Sequence, residues 1–338
     1  MQLICDASYD DYDDEIYECD IPRNIKRMIF GDNFDNSVDC LPDWVTHLTF
    51  GDHFNMSVDN LPDSVTHLTL GYFFVHSINN LPDGLKYLKL GHDFNESVDY
   101  LPVNLRCLIL GCNFERDVDH LPPNLECLTF GCNFNRSVDN LSIKLRKLTF
   151  GKWFNKNVRN LHELVSLTHL TFGDHFNKSI LDLPVNIIYL TFGSDFDQPI
   201  DSLQSLHNLR VISFGHSFNK SIDKLPNSVP YLKLGRMFAQ NINKYPLCLK
   251  ELVIGTTLMY PYHNLPDSIQ IIHLYCCDAC AKLHMPCQTR DMLNMIQNNE
   301  ALCNSLKIIY INCCVIYSDV DTIDNKISKK IKYVKSME

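Results

Sequence analysis

The amino-acid sequence predicts a repeat solenoid with one long parallel β-sheet, and three observations lead to that prediction. Twelve of the 13 glycines stand 20 residues apart, apart from two steps of 22 residues. Eighteen of the 19 phenylalanines lie immediately before, or three residues after, one of these glycines. Each unit also repeats the pattern L-P-x-x-L-x-x-L-x-F-G, and a unit this short can bury its apolar side chains only by stacking on its neighbours. The repeated glycines are Gly31, Gly51, Gly71, Gly91, Gly111, Gly131, Gly151, Gly173, Gly193, Gly215, Gly235 and Gly255.

The order of elements within a unit follows from its residues. The end of L-x-x-L-x-F alternates apolar and polar side chains, as in 48–50, which predicts a short strand with one buried face. The glycine then permits a tight turn or a close backbone approach. Phe54, Val58 and Leu61 return to the core, and Leu-Pro ends the unit because proline disfavours a helix there. A concave sheet and a mostly non-helical convex side are therefore expected.

Two units and the C-terminal region depart from this pattern. The 22-residue steps contain L-x-x-L-x-x-L at 161–167 and 203–209 in place of Leu-Pro, which permits a short helical or 3₁₀ turn. Strand patterns continue at 269–275 and 306–312, with a helix predicted near 289–302, so that a small α/β segment caps the solenoid. The predicted organisation is an acidic leader or cap (1–20), about 13 repeats (21–275), a C-terminal cap (276–314) and a tail that is basic at its end (315–338).

Composition and charge restrict the class of protein. The net charge is −10, and residues 1–20 contain eight acidic residues and no Lys or Arg, which argues against nucleic acid as a partner. No apolar stretch approaches the ~20 residues that span a bilayer. The 15 cysteines are dispersed through a chain with a large core and no export signal, so reduced thiols are predicted. We expect a cytoplasmic monomer without membrane contact or cofactor.

The segment Gly131-Cys132-Asn133-Phe134-Asn135-Arg136-Ser137-Val138 and its copies resemble FNIP repeats, a leucine-rich-repeat-like family of social amoebae and of giant viruses that infect amoebae. The resemblance covers roughly 21–275. It departs locally, since Asp35, Val75 and Glu115 replace the Asn. The resemblance implies an LRR-like right-handed coil, and it implies the host cytoplasm if the chain is viral. Some family members join the repeats to an F-box, for which residues 1–20 are too few and too polar.

Function is expected at the variable positions between the glycines, because these side chains face outward from the sheet. The pattern places one column at the first strand position, a second two residues later and a third two residues after the glycine. Aromatic and charged side chains in these columns are predicted to bind a partner on the concave face, aromatic residues being common interface anchors. The candidates are His47, His67, Phe73, Tyr87, Lys89, Trp153, His169, Tyr189 and Tyr231.

Three groups of residues suggest a metal site. His47 and His67 would be adjacent across strands, with His53 nearby, although such a pair is commonly only polar surface. Cys107, Cys112, Cys127 and Cys132 would form two lateral pairs, because ~16 Å separates five residues along a strand. The segment C-x-x-C-x3-H-x2-C offers four ligand types in a compact stretch, and the sequence favours apolar packing there over zinc. Its residues are Cys277, Cys280, His284 and Cys287.

No catalytic motif emerges from the sequence. The patterns G-x-S-x-G, G-x-x-x-x-G-K-[ST] and H-E-x-x-H are absent, and the repeated glycines have an architectural role. The leading hypothesis is therefore a non-enzymatic scaffold that binds a protein partner. The alternative, which the family resemblance alone suggests, is a substrate-recognition subunit of a ubiquitin ligase that acts with a separate adaptor.

Overall fold

A computed structural model of the chain describes residues 2–5, 21–255, 265–275, 293, 296, 299–312 and 329–333. It confirms the predicted repeat solenoid with parallel strands. The chain divides into two compact units, Met1–Gly173 and Asp174–Glu338. Each unit is built of successive turns that contribute one short strand apiece.

In the described part of the first unit, each strand pairs in parallel with the strand that follows it in the sequence. The register keeps equivalent repeat positions side by side, as His47 opposite His67 and Leu48 opposite Leu68. The strands are β1 (Gln2–Cys5), β2 (Arg27–Phe30), β3 (His47–Thr49), β4 (His67–Thr69), β5 (Tyr87–Lys89), β6 (Cys107–Ile109), β7 (Cys127–Thr129), β8 (Lys147–Thr149) and β9 (His169–Thr171).

The second unit repeats this arrangement, again with parallel neighbours in sequence order. Its strands are β10 (Tyr189–Thr191), β11 (Val211–Ser213), β12 (Tyr231–Lys233), β13 (Glu251–Gly255), β14 (Ile271–Tyr275), β15 (Ile308–Asn312) and β16 (Ile331–Tyr333). Helix α1 (Glu300–Ser305) precedes β15, and the side chain of Asn299 accepts the backbone N–H of Leu302 at its start.

The repeated Phe and Gly positions form continuous rows in the core. The phenylalanine three residues after each glycine stacks on its equivalent in the next turn, with ring centroids 6.1 Å apart for Phe54 and Phe74 and 6.3 Å apart for Phe74 and Phe94. A Cβ atom added to Gly71 would overlap the carbonyl oxygen of Gly51. The glycines are therefore required because the backbone of one turn lies directly against the backbone of the next.

The Asn that follows the repeated phenylalanine has a structural role. Its side-chain oxygen accepts the backbone N–H of the equivalent residue one turn later, as from Asn55 to Val75 at 3.0 Å and from Asn95 to Glu115 at 3.0 Å. Asp35 fulfils the same role toward Asn55 at 2.7 Å. A carboxylate can replace the amide here because only an acceptor oxygen is needed. The replacement of Asn by Asp in that unit is thus explained.

The two 22-residue steps confirm their prediction. A 3₁₀ helix occupies Arg159–Glu163 in the first unit, and another occupies Asp201–Ser205 in the second. Each buries a leucine of the L-x-x-L-x-x-L segment, Leu161 and Leu203.

The terminal regions differ from expectation in three places. Strand β1 lies within the predicted acidic leader, and strand β16 lies within the predicted basic tail. Both complete a parallel ladder, with β2 and β15 respectively, and each has an apolar residue in register with a buried one, Leu3 opposite Met28 and Ile331 opposite Ile309. The predicted helix near 289–302 is interrupted, since Asn299 has an extended conformation and α1 starts after it and continues to Ser305.

Candidate interaction surface

The first and third residues of strands β3 to β12 point away from the core, and they form the outer columns of the sheet. The middle residue of these strands is buried, as Leu48, Leu68 and Leu88 show, while its two neighbours keep at least part of their surface exposed. We call this side of the sheet in the first unit the strand face. The side chains that sequence analysis placed in these columns therefore lie where they were expected.

Three aromatic rings stack along the first column of the strand face. The rings of His47 and His67 are 4.1 Å apart at 9°, and the rings of His67 and Tyr87 are 5.9 Å apart at 20°. Parallel in-register pairing of β3, β4 and β5 brings the three side chains together. The predicted proximity of His47 and His67 is confirmed, and Tyr87 extends their row.

Local hydrogen bonds fix the tautomer of the two histidines. Thr46 Oγ1 donates to the carbonyl oxygen of Lys26 at 3.0 Å, and it lies 2.8 Å from His47 Nδ1. Thr66 Oγ1 makes the same two contacts, with the Thr46 carbonyl at 3.2 Å and His67 Nδ1 at 2.9 Å. Because a hydroxyl has a single hydrogen, each Nδ1 must be the donor to its threonine. The Nε2 atoms of the neutral rings are then left as acceptors.

The same geometry does not fit a metal ion shared by the two histidines. The lone pair of Nε2 lies in the ring plane, and the two planes are nearly parallel, so the lone pairs cannot converge on one ion at ~2.0 Å. His53 Nδ1 instead lies 2.9 Å from the Asp32 carbonyl oxygen. Among the residues that the structure describes, no three His, Cys, Asp or Glu side chains group as a metal site.

The histidine pair gives stability a definite pH dependence. Burial, then the neighbouring His67, and then Arg27 lower the pKa of His47, and burial, Arg27 and Lys86 lower the pKa of His67. Between the unfolded pKa of about 6.5 and the lower folded values, the unfolded chain binds more protons, so stability falls as pH decreases below about 6.5. We expect the urea midpoint of the wild-type protein to fall more steeply between about pH 6.5 and pH 5 than that of His67→Gln. At pH 7.5–8.5, where histidine is neutral, the difference between the two proteins should be constant; parallel acid profiles would contradict the prediction.

A second aromatic cluster borders the strand face just after Gly71. Phe73 is 44% exposed and Tyr72 is 40% exposed, and their ring centroids are 4.8 Å apart. Tyr72 stacks on His92 at 4.2 Å and 5°, and Phe73 lies 5.3 Å from His53. Sequence analysis identified Phe73 as a candidate and missed Tyr72 and His92. The signal that could have found them is the column one residue after the glycine, where Tyr72 and His92 stand at equivalent positions of successive turns.

Polar side chains continue the column two residues after the glycine. Asn113 Nδ2 donates to Asp93 Oδ1 at 2.9 Å, and Asn133 Nδ2 donates to Asn113 Oδ1 at 3.0 Å. Asp93 also contacts His92 Nδ1 at 2.6 Å. This chain of partners holds amide and carboxylate groups at fixed positions beside the aromatic cluster.

The remaining candidates of the first unit are also exposed. Lys89 is the exposed third residue of β5, in the second column, and His169 is the first residue of β9, where Thr168 Oγ1 lies 2.9 Å from its Nδ1. Trp153 is 50% exposed, and Lys152 Nζ lies 5.7 Å from its ring. An open cavity of about 540 Å³ beside Trp153 is lined by Glu115, Asn133, Asn135 and Arg136.

In the second unit, the structure places Tyr189 and Tyr231 at the first positions of β10 and β12. Tyr189 is 43% exposed. Burial, with the Glu251 carboxylate second, raises the pKa of Tyr231, so its hydroxyl stays protonated at neutral pH. Val211 separates the two tyrosines in the column. They are therefore not a stacked row like that of the first unit.

The central cysteines form the two lateral pairs that strand geometry predicted. Cys107 and Cys127 are register partners in β6 and β7 and are free thiols. Burial and the neighbouring Cys127 raise the pKa of Cys107 to about 11, so this thiol is protonated at neutral pH. Burial and contact with Cys132 likewise raise the pKa of Cys112. The predicted C-terminal set of Cys277, Cys280, His284 and Cys287 lies outside the described residues.

Comparison with known proteins identifies the repeat. The FNIP Repeat family model matches residues 37–73 and 77–113. The chain carries FNIP repeats. The predicted resemblance is thereby confirmed, and the Gly and Phe rows of the two matched segments continue through the turns that follow. No match among curated proteins was found.

The FNIP chain is similar to solved structures, one of which is a leucine-rich-repeat (LRR) protein. It is 33% identical to CroV588, described as a novel circular LRR protein, with a TM-score of 0.60 over 76% of this chain and 47% of that one. The chain thus spans about half the length of that relative. It is 12% identical to the functional domain of InlJ from Listeria monocytogenes, which includes a cysteine ladder, with a TM-score of 0.53 over 86% of this chain and 68% of that one. In the residues described, no helix is long and apolar enough to cross a membrane.

Proposed function

We propose that the chain is a non-enzymatic protein-interaction scaffold whose strand face binds a protein partner. The observation that carries the proposal is the aromatic surface formed by the His47, His67 and Tyr87 row and the adjoining pair Tyr72 and Phe73. Stacked rings that are already held in place lose little conformational freedom on binding, and exposed aromatic residues are frequent interface anchors. LRR-type repeat solenoids present extended binding surfaces of this kind.

The experiment is affinity purification of the tagged full-length chain from cells, followed by identification of the proteins that it retains. We expect the double variant Tyr72→Ala, Phe73→Ala to retain its main partner at least about tenfold less than wild type, since loss of an interface anchor costs more than 1–2 kcal/mol. Leu247→Ala is the matched control, because this side chain is 65% exposed in the second unit and lies outside the strand face. Equal retention by wild type and the double variant would refute binding at this surface.

The role of ubiquitin-ligase substrate receptor stays a prediction from the family resemblance. The same purification tests it: that role requires cullin-type ligase subunits among the retained proteins. Suppose that ligase subunits are recovered both with wild type and with Tyr72→Ala, Phe73→Ala, and that one further protein is recovered with wild type alone. That further protein would then be identified as a substrate. Absence of ligase subunits from both samples would reject the role.

A further inference from the structure

A second surface lies on the edge of the first unit where the Leu-Pro turns precede the strands. In each turn, the backbone N–H of the buried residue two positions before the strand donates to the carbonyl oxygen of the residue three positions earlier. Leu85 donates to Pro82 in this way, and Leu105 donates to Pro102, both at 3.0 Å. The residue that follows the proline position therefore occupies the same place in every turn. These residues form what we call the turn row: Asp43, Asp63, Asp83, Val103, Pro123, Ile143 and Val165.

The members of the turn row lie side by side on successive turns. Each stands four residues before the first residue of its strand, and those first residues are register partners from β3 to β9. Hydrogen bonds join the turns directly, since Asn124 Nδ2 donates to the Val103 carbonyl at 2.9 Å and Lys144 Nζ donates to Asn124 Oδ1 at 2.6 Å. The spacing along the row is thus close to the ~4.8 Å between strands.

Four consecutive members of the row are apolar and exposed. Val103 is 54% exposed, Ile143 is 61% exposed and Val165 is 59% exposed, while Pro123 between them is also exposed. The fold does not require apolar side chains here, because the equivalent position is Asp in the three preceding turns. Single exposed apolar residues are ordinary on a protein surface, but a contiguous exposed row indicates an interaction site.

Charge within the row is distributed unevenly. The first three members are exposed aspartates, and the residue four positions before the row member is a further exposed aspartate in the turns of both halves, at Asp39, Asp59, Asp99, Asp119 and Asp139. The cations near the apolar members already have partners: Arg106 and Arg146 share Glu126, at 3.4 and 4.0 Å, and Lys144 contacts Asn124. One end of the row is therefore acidic and the other apolar, which selects a partner that is basic at one end and apolar at the other.

The spacing of the row distinguishes a helix from an extended strand as the occupant. Side chains on one face of a strand recur every ~6.6–6.8 Å, whereas those on one face of a helix recur at i+3 and i+4, or ~4.5–6 Å. The row repeat of ~4.8 Å matches the helix. Six steps span ~29 Å, the length of a helix of about 20 residues. We propose that the turn row docks an amphipathic helix of a partner protein, with basic side chains over Asp43–Asp83 and an apolar face over Val103–Val165.

This surface goes beyond the proposed function, since it involves none of the strand-face residues. The test uses the full chain and a fluorescein-labelled peptide of about 20 residues, with lysines over one half and leucines on one helical face of the other. In one control peptide, Glu replaces every Lys. In the other, the same residues are arranged so that leucines lie on all sides of the helix. Fluorescence anisotropy measures each affinity at about 0.05 M and about 0.5 M salt.

We expect the Lys-Leu peptide to bind the wild-type chain more tightly than either control peptide does. The double variant Val103→Asp, Ile143→Asp should weaken binding at least about tenfold at both salt concentrations. The triple variant Asp43→Asn, Asp63→Asn, Asp83→Asn should weaken it mainly at low salt. Leu247→Asp is the matched control, because it occupies the equivalent turn position in the second unit and is 65% exposed, and its affinity should equal that of wild type.

Three results would overturn the proposal. One is equal binding of the Lys-Leu peptide to wild type and to Val103→Asp, Ile143→Asp. Another is a loss of affinity with Leu247→Asp that equals the loss with Val103→Asp, Ile143→Asp. The third is sedimentation of wild type as a dimer that Ile143→Asp converts to a monomer, because the row would then be occupied by a second copy of the chain. Variants of Tyr72 and Phe73 should leave peptide binding unchanged, so that failure of the strand-face proposal and failure of this one are distinguishable.

Discussion

Replacing Gly91 with alanine is expected to destabilise the first unit by about 3 kcal/mol or more. The added Cβ would overlap the carbonyl oxygen of Gly71 and lie 2.7 Å from its carbonyl carbon and 3.1 Å from the Tyr72 carbonyl oxygen. All three atoms belong to the backbone of the preceding turn, so a change of rotamer cannot relieve the overlap. Relief requires separation of two turns, which also disturbs the stacked phenylalanines beneath them. Urea unfolding followed by circular dichroism measures the loss.

Gly84→Ala provides the matched control in the same turn. It makes the same chemical change and the same reduction in the freedom of the unfolded chain. Its nearest atom would be the Asp63 carbonyl oxygen at 3.3 Å, which a small local shift can accommodate. We expect its free energy of unfolding to stay within about 1 kcal/mol of wild type. A Gly91→Ala protein as stable as Gly84→Ala would show that the close approach of successive turns is not what requires glycine.

The periodic features of this fold could be predicted from sequence because each recurs many times. Repetition at intervals of 20 and 22 residues gave the strand positions, the register and the buried phenylalanine row, and L-x-x-L-x-x-L in place of Leu-Pro indicated both 3₁₀ helices. Strands β1 and β16 were not predicted, although Leu3 and Ile331 occupy the register positions of the buried strand residues Met28 and Ile309. Strand β1 lies beside an acidic segment, strand β16 lies in a lysine-rich one, and neither is followed by the repeat glycine.

The candidate surface was predictable as a set of columns but not as a chemical arrangement. Register alone places His47 beside His67, and the structure bears this out. The orientation of their rings depends on Thr46 and Thr66, whose hydroxyls bond to the carbonyl oxygens of the preceding turn. Tyr72 and His92 pair through side-chain angles that no spacing rule encodes. The turn row is not recognisable within a single repeat, because its change from aspartate to apolar residues appears only across seven turns.

Replacing Phe74 with alanine is expected to destabilise the first unit by about 3–5 kcal/mol. The side chain is fully buried, and its ring lies 6.1 Å from that of Phe54 and 6.3 Å from that of Phe94. Truncation opens a cavity between two stacked rings, and the neighbouring turns cannot close around it because their backbones are already in contact along the glycine row. Chemical unfolding of the full chain at a single temperature measures the loss of stability.

Phe73→Ala is the control for this prediction, since it removes the same group from the adjacent residue. Phe73 is 44% exposed, and its ring contacts are with Tyr72 and His53 at the surface. We expect a loss of about 1 kcal/mol or less, the energy of one exposed aromatic contact. The two adjacent phenylalanines therefore separate folding from binding: Phe74 should affect stability strongly, whereas Phe73 should affect partner retention. Similar losses of stability in the two variants would contradict the assignment of one ring to the core and the other to the strand face.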